Sequence, residues 1–197
     1  MRIAIFSDIH DHLNSLGAAL DAINEEAVDV LLCCGDLCSP FVLNMMGKRF
    51  EGPIHIVFGN NDGDTFRLSK LAQQWTDRVH LYGEMADFNL EGKRFALNHY
   101  PEIAEQVAAA GNFDVVCYGH DHQRKVNRFN TRGHEVILVN PGTLMGYRFE
   151  EGEPVSVTRS FAILDLEDDN EVMFWEVHYD PEQGWGATEI SEGRRER

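Results

Sequence analysis

Arg2-Ile3-Ala4-Ile5-Phe6-Ser7-Asp8-Ile9-His10 decides the reading of the whole chain. A short apolar run gives way to a carboxylate and, two positions on, an imidazole. Such a run, closed by Asp, Asn or Gly, reads as a buried strand followed by a tight turn. The arrangement recurs down the chain. VLLCC at 30–34 runs into Gly35-Asp36, and IHIVF at 54–58 runs into Gly59-Asn60-Asn61-Asp62. RFAL at 94–97 runs into Asn98-His99, and VVCY at 115–118 runs into Gly119-His120-Asp121-His122. In open α/β sheets the functional crevice lies outside the carboxyl ends of the strands. Strand ends that carry oxygen and nitrogen donors would therefore converge there and build a mixed metal site.

The segments between these runs fit that plan. Leu13, Leu16, Leu20 and Ile23 recur at helical spacing, which predicts an amphipathic helix over 13–25. Helices are also expected at 40–49, ended by Gly52-Pro53, and at 64–76, marked by Leu68, Leu71 and Trp75. Glu91-Gly92 reads as a hairpin turn joining strands at 85–90 and 93–98. Pro101 suits a helix N-terminus, and Gly111 its end. A hairpin is expected at 124–130 and 134–139, around Thr131-Arg132-Gly133, with two last strands near 158–166 and 171–178. One domain spanning 1–180 is expected, then a loose, polar, Gly-rich tail over 181–197.

The order of these motifs resembles that of the calcineurin-like metallophosphoesterase family: D-x-H, G-D, G-N-H-[DE], a lone His, then G-H-x-H. The resemblance covers roughly residues 1–145. Asn140-Pro141-Gly142-Thr143 is similar to the N-P-G-[ST] turn of the family's small prokaryotic phosphodiesterase branch, which lacks a cap domain. This resemblance implies an α/β fold of the four-layer α-β-β-α sandwich type, two mixed β-sheets flanked by helices. It implies a binuclear centre of two divalent metal ions. The donor chemistry suits Mn²⁺ first, with Ni²⁺, Fe²⁺, Co²⁺ or Zn²⁺ as alternatives. By resemblance, one ion takes Asp8, His10, Asp36 and His122, and the other takes Asp36, Asn60, His99 and His120. Two such ions about 3.5–4 Å apart hold a bridging hydroxide as nucleophile and clamp a phosphate for in-line attack. The residues assigned to catalysis on this basis are Asp36, Asn60 and Asn61. Position 61 is also the chief departure, because the family places a histidine there. Asn61 donates a hydrogen bond but no proton at neutral pH. Asp62 keeps the acidic position and is expected to orient a neighbour.

Simpler roles compete for each residue. Asp8 or Asp36 alone would serve as a helix N-cap, and His99 alone as a histidine at a strand end. His12, His55, His80, His134 and His178 have no motif context and read as surface or packing residues. Arg124 and Arg148 read as solvated arginines, each with phosphate contact as the alternative. Cys33, Cys34 and Cys117 lie inside strand-like runs, where a free thiol behaves as a small apolar group, and Cys38 is expected near the site. No C-x-x-C pair suggests a structural zinc cluster.

A net charge of −16 argues against nucleic acid and anionic membrane surfaces as partners. No apolar run approaches the roughly 20 residues needed to span a bilayer. The first strand begins at once after Met1, so no signal peptide is expected and the location is expected to be cytoplasmic. The expected partner is a small phosphoester substrate, and a homo-oligomer is compatible with the chain. The expected function is a metal-dependent phosphodiesterase. The alternatives are a phosphomonoesterase and a non-catalytic metal-binding scaffold resembling the retromer coat subunit. A complete set of metal-competent residues favours catalysis over the scaffold.

Overall fold

Alternate residues of the first strand, β1 (Arg2–Phe6), enter two different cores, and this division sets the layers of the fold. Ile3 and Ile5 pack with Leu32, Leu97, Cys117 and Val139, between two sheets. Ala4 and Phe6 pack with Leu20, Ile23, Leu43 and Phe161, beneath helices. A strand buried on both faces carries a continuous apolar run rather than an alternating one. That is why IAIF, VLLC and VVC look alike in sequence.

The structure, a computed structural model, describes residues 1–190. After β1 come α1 (Leu13–Glu25), β2 (Val30–Cys33), α2 (Pro40–Arg49), β3 (Ile54–Ile56), α3 (Thr65–Ala72), β4 (Val79–Leu81), β5 (Met85–Leu90) and β6 (Lys93–Asn98). Then follow α4 (Pro101–Ala109), β7 (Val115–Cys117), β8 (Lys125–Thr131), β9 (His134–Asn140), β10 (Tyr147–Glu150), β11 (Glu153–Ser156), β12 (Arg159–Asp165), β13 (Glu171–Asp180) and β14 (Gly184–Glu189). One sheet has the order β14-β13-β12-β1-β2-β3-β4 and the other β5-β6-β7-β9-β8. Strands β1 to β4 run parallel, as do β6, β7 and β9, and both sheets add antiparallel edges. Helix α4 covers the outer face of the second sheet through Ala104 and Ala108 against Val116 and Leu138. The result is the four-layer α-β-β-α sandwich expected, with two mixed sheets face to face.

Local chemistry explains where the elements stop and start. Helix α1 buries Leu16, Ala19, Leu20 and Ile23, each fully buried Leu or Ile contributing about 1.5–3 kcal/mol. Its N-cap is His12, whose ring accepts from the Ser15 amide at 3.3 Å. Helices α2 and α4 both begin with proline, which lacks the donor a first turn would leave unpaired.

Several expectations need correction. The helix expected over 64–76 ends at Ala72 and continues as a single 3₁₀ turn, Gln73–Trp75. The tail expected from 181 is not loose through its first half. Residues Gly184–Glu189 form β14, an edge strand paired with β13 from Trp175↔Glu189 to Asp180↔Gly184. Two glycines and a polar outer face hid it, although Trp185 and Ala187 pack on the core. The rest of that tail, 191–197, lies outside the described residues. Strand β4 was also missed: unlike β3 and β7, which are buried throughout, this three-residue edge strand buries only Val79. So was the β10–β11 hairpin, which buries no apolar face: Tyr147 and Phe149 are exposed, all of β11 is exposed, and in β10 only Arg148 is partly buried.

Candidate metal centre

The loops that leave β1, β2, β3, β6 and β7 are tied to one another by backbone bonds before any side chain meets. The Asp36 carbonyl accepts from Ile9 N at 2.9 Å and from His10 N at 3.0 Å, while Asp8 N donates to the Gly35 carbonyl at 3.1 Å. Asp62 ties the second and third loops together. Its carboxylate accepts from Asp36 N at 2.9 Å, Cys38 N at 2.7 Å and Gly59 N at 2.7 Å. From the second sheet, Gly119 N donates to the His99 carbonyl at 3.1 Å, and His120 N donates to Asp8 Oδ2 at 2.9 Å. Asn140-Pro141-Gly142-Thr143 braces this junction from behind. Thr143 Oγ1 donates to the Asp8 carbonyl at 2.8 Å, and Asn140 Nδ2 donates to Asp121 Oδ1 at 2.7 Å.

These ties force unusual backbone. Asp8, His10, Asp36, His120 and His122 all have φ between 44° and 75°. Left-handed conformations cost a non-glycine residue on the order of 1 kcal/mol each, and such residues concentrate where side chains must be aimed. Glycine is required where two loops touch. A Cβ on Gly59 would lie 2.2 Å from Asp36 Oδ1, and one on Gly119 would lie 1.8 Å from Ser7 Oγ.

The side chains aimed this way meet in one place. His10 Nε2 is 3.7 Å from Asp8 Oδ1 and 3.4 Å from Asp36 Oδ2. His122 Nε2 is 3.2 Å from Asp8 Oδ1, and His99 Nε2 is 3.4 Å from Asp36 Oδ2. Asn60 Oδ1 lies 3.1 Å from His99 Nε2 and 3.0 Å from His120 Nδ1. Every residue expected to ligate is thus present. Asp8, Asp36 and His99 form the buried floor, with Asn60, Asn61 and His120 exposed at the mouth. Neither Asp8 nor Asp36 caps a helix. Asn61 lies against Asp36, giving its backbone N–H to Oδ1 and its amide N–H to Oδ2, both at 2.8 Å. Cys38 is near the site as expected, its Sγ 3.6 Å from His10 Nδ1.

Whether this set fits a cation can be tested on its hydrogen bonds. The Nδ1 atoms of His99 and His122 face backbone carbonyls, of Cys34 at 2.8 Å and of Tyr147 at 2.5 Å. A carbonyl can only accept, so both Nδ1 atoms carry the proton, and Nε2 of the neutral ring presents a lone pair. Those lone pairs point at carboxylate and amide oxygens. Asp8 Oδ1 and His10 Nε2 are moreover buried without a hydrogen-bond partner. Burial alone would raise the pKa of the Asp8 carboxyl, yet a proton on the facing His10 and His122 imidazoles would hold it below the usual carboxylate range. Burial opposes charge on His99 as well, but Asp36 and Asp8 raise its pKa above the ordinary imidazole value. The cluster demands positive charge at its centre. A proton on His99 would answer in part but would leave Asp8 Oδ1 and His10 Nε2 unpartnered. Divalent cations fit the donors better.

The Cys34 and Tyr147 carbonyls were missed in the sequence, since a backbone group gives no residue-type signal. The cluster opens into a cleft of about 660 Å³. Its far side carries Met145, Arg148, Phe149 and Glu150, so Arg148 belongs to the cleft and not to open surface.

Comparison with known proteins agrees with this geometry. The calcineurin-like phosphoesterase superfamily domain matches residues 1–169. A phosphodiesterase of Methanocaldococcus jannaschii is 32% identical over 155 residues, covering 75% of this chain and 86% of that protein. The solved structure of an archaeal phosphodiesterase superposes with a TM-score of 0.75 at 28% identity, covering 88% of this chain and 98% of that one. Vps29 of Entamoeba histolytica, solved in complex with Zn²⁺, has a TM-score of 0.63 at 16% identity, covering 96% of this chain and 98% of that one, which shows a shared fold alone. With the motifs, layers and donor cluster in agreement, this chain belongs to the calcineurin-like phosphoesterase superfamily.

Proposed function

We propose that this protein is a metal-dependent phosphodiesterase acting on small phosphoesters, with Mn²⁺ as its preferred ion and the cytoplasm as its location. The observation that carries the proposal is the inward-turned donor set, in which lone pairs of His99, His122, Asn60 and two carboxylates face one another at 3.1–4.0 Å. Asp8, His10, Asp36 and His122 would hold one ion, and Asp36, Asn60, His99 and His120 the other. The 3.2 Å approach of Asp8 Oδ1 to His122, against 4.0 Å to His99, supports its assignment to the first set. When bound, two such ions acidify water to a pKa of about 7 and offset charge on phosphate oxygens. The protein contributes placement: the Cys34 and Tyr147 carbonyls fix two imidazoles, and Asn61 fixes the Asp36 carboxylate. Buried thiols at Cys33, Cys34 and Cys117 are compatible with a reducing compartment. No helix among the described residues is long and apolar enough to cross a membrane.

Metal removal is the direct test. Chelation followed by desalting is expected to abolish hydrolysis of bis(p-nitrophenyl) phosphate, and added Mn²⁺ to restore it. Full turnover in protein shown by elemental analysis to be metal-free would end the proposal.

Asn61 bears on the kind of ester. An alkyl monoester benefits from protonation of its leaving group, worth about 10²–10⁴-fold. Asn61 cannot give that proton, and its backbone N–H and one of its two amide hydrogens are already turned to Asp36. The wild type should therefore prefer an aryl diester over the matching monoester in kcat/KM. Asn61→His should move the ratio toward the monoester. A wild type that favours the monoester, with the ratio unmoved in Asn61→His, would assign proton delivery elsewhere.

A further inference from the structure

The cleft has two walls of different origin. One is the donor cluster at the strand ends. The other is the β10–β11 hairpin, which belongs to neither sheet. At its base Val157 N donates to the Gly146 carbonyl at 3.0 Å, and along its length the Tyr147 carbonyl accepts from His122 Nδ1. The hairpin is therefore held in register with the donor cluster.

Arg148 is the partly buried side chain of this otherwise exposed hairpin. It is also the one lysine or arginine among the described residues lining the cleft, where Asp36, Asp121 and Glu150 are the carboxylates. Its guanidinium is half used. Nη2 pairs with Glu150, two residues on and on the same face of the strand. Nε is buried without a hydrogen-bond partner. The Nε–Nη2 edge of arginine is a fork that matches two oxygens of one phosphate. Here one prong holds a single carboxylate oxygen and the other holds nothing. Asn61, which lines the same cleft, is neutral and turned to Asp36, so it offers a phosphate no charge of its own.

We propose that Arg148 is a substrate-binding residue of this site, gripping the non-bridging oxygens of the phosphodiester, and that Glu150 is its resting counter-ion, displaced when substrate enters. The proposal rests on the phosphodiesterase reading above and adds to it the group that recognises the phosphate and the group that competes with it.

Two variants separate this from a merely structural ion pair. If the pair only braced the hairpin, removing either member would act in one direction. If Glu150 competes with substrate for Arg148, the two variants act oppositely. The experiment uses wild type, Arg148→Gln, Arg148→Lys and Glu150→Gln. For each, metal content is measured, inorganic phosphate is titrated calorimetrically, and KM and kcat for bis(p-nitrophenyl) phosphate are determined with Mn²⁺. Arg148→Gln is expected to keep its metal and weaken phosphate binding and KM by about 10- to 100-fold, the worth of a charge-assisted hydrogen bond. Arg148→Lys should recover part of that loss. Glu150→Gln should tighten both, by a few-fold. Unchanged phosphate affinity in Arg148→Gln overturns the proposal. So does weakening in Glu150→Gln, or loss of metal in Arg148→Gln, which would show the hairpin acting through His122. If the wild type hydrolyses no diester, the phosphodiesterase reading fails, and the phosphate titration decides the role of Arg148 by the same opposite-sign criterion.

Discussion

Asp36→Asn is expected to lower metal occupancy at both positions and to cut diester turnover on the order of 10³-fold, the equivalent of several kcal/mol of lost charge stabilisation. Asp36 Oδ2 stands 3.4 Å from His10 Nε2 and 3.4 Å from His99 Nε2, one imidazole from each proposed ligand set. Asparagine keeps the shape but has one oxygen where two are needed. Its N–H₂ would also face the Asn61 donors that now serve the carboxylate. His99→Ala, by contrast, removes a donor from one set and should empty mainly one position. Elemental analysis beside turnover distinguishes the two. Two full metal equivalents in Asp36→Asn would rule out the bridging role.

Gly59→Ala should be nearly as damaging, although it removes no donor. The new methyl would sit 2.2 Å from Asp36 Oδ1 and 2.8 Å from His99 Cε1 and Nε2. None of these atoms can retreat easily. Asp36 is held by Asn61 on both oxygens, and His99 by the Cys34 carbonyl. The loops must part, and a misplacement of about 1 Å costs roughly 10²-fold in rate. The overall fold should survive, because the clash is local to the strand ends. Gly92→Ala supplies the control. It sits in the β5–β6 turn at φ +77° with nothing within 4 Å of a new Cβ. It should cost about 1 kcal/mol in thermal stability and leave turnover intact. Equal losses of activity in the two variants would show that crowding at the site is not the cause.

Much of this was legible in the sequence because burial leaves a compositional trace. A central parallel strand must be apolar on both sides, so β1, β2 and β7 announced themselves, and the polar residues after them marked where burial ends. The helix ends followed from Gly52-Pro53, Pro101 and Gly111. What escaped notice lacked such a trace. Strand β14 is paired on one side only and contains Gly184 and Gly186. The β10–β11 hairpin satisfies its own backbone while burying almost nothing, and a sequence rule keyed to apolar periodicity passes over it. For the site, donor types and their order could be read directly. The Cys34 and Tyr147 carbonyls could not, because every residue has one. Nor could the association of Arg148 with the cleft, which depends on where an irregular hairpin folds back.

The 2.9 Å bond between His120 N and Asp8 Oδ2 joins residues 112 positions apart. The donors nearest the N-terminus and those of the Gly119–His122 loop belong to opposite sheets, which meet only when the β1–β2 and β6–β7 layers have closed on each other. No fragment of the chain short of that closure owns the complete donor set, however well its own strands have formed. An ion that binds here is therefore a ligand of the finished topology. It draws the folding equilibrium toward the complete sandwich more strongly than toward partly folded chains, which offer only part of the donor set. During synthesis, the early motifs would wait with unsatisfied carboxylates until the ribosome had delivered the Gly119–His122 loop, so that metal acquisition doubles as a check that the chain has been completed to that point.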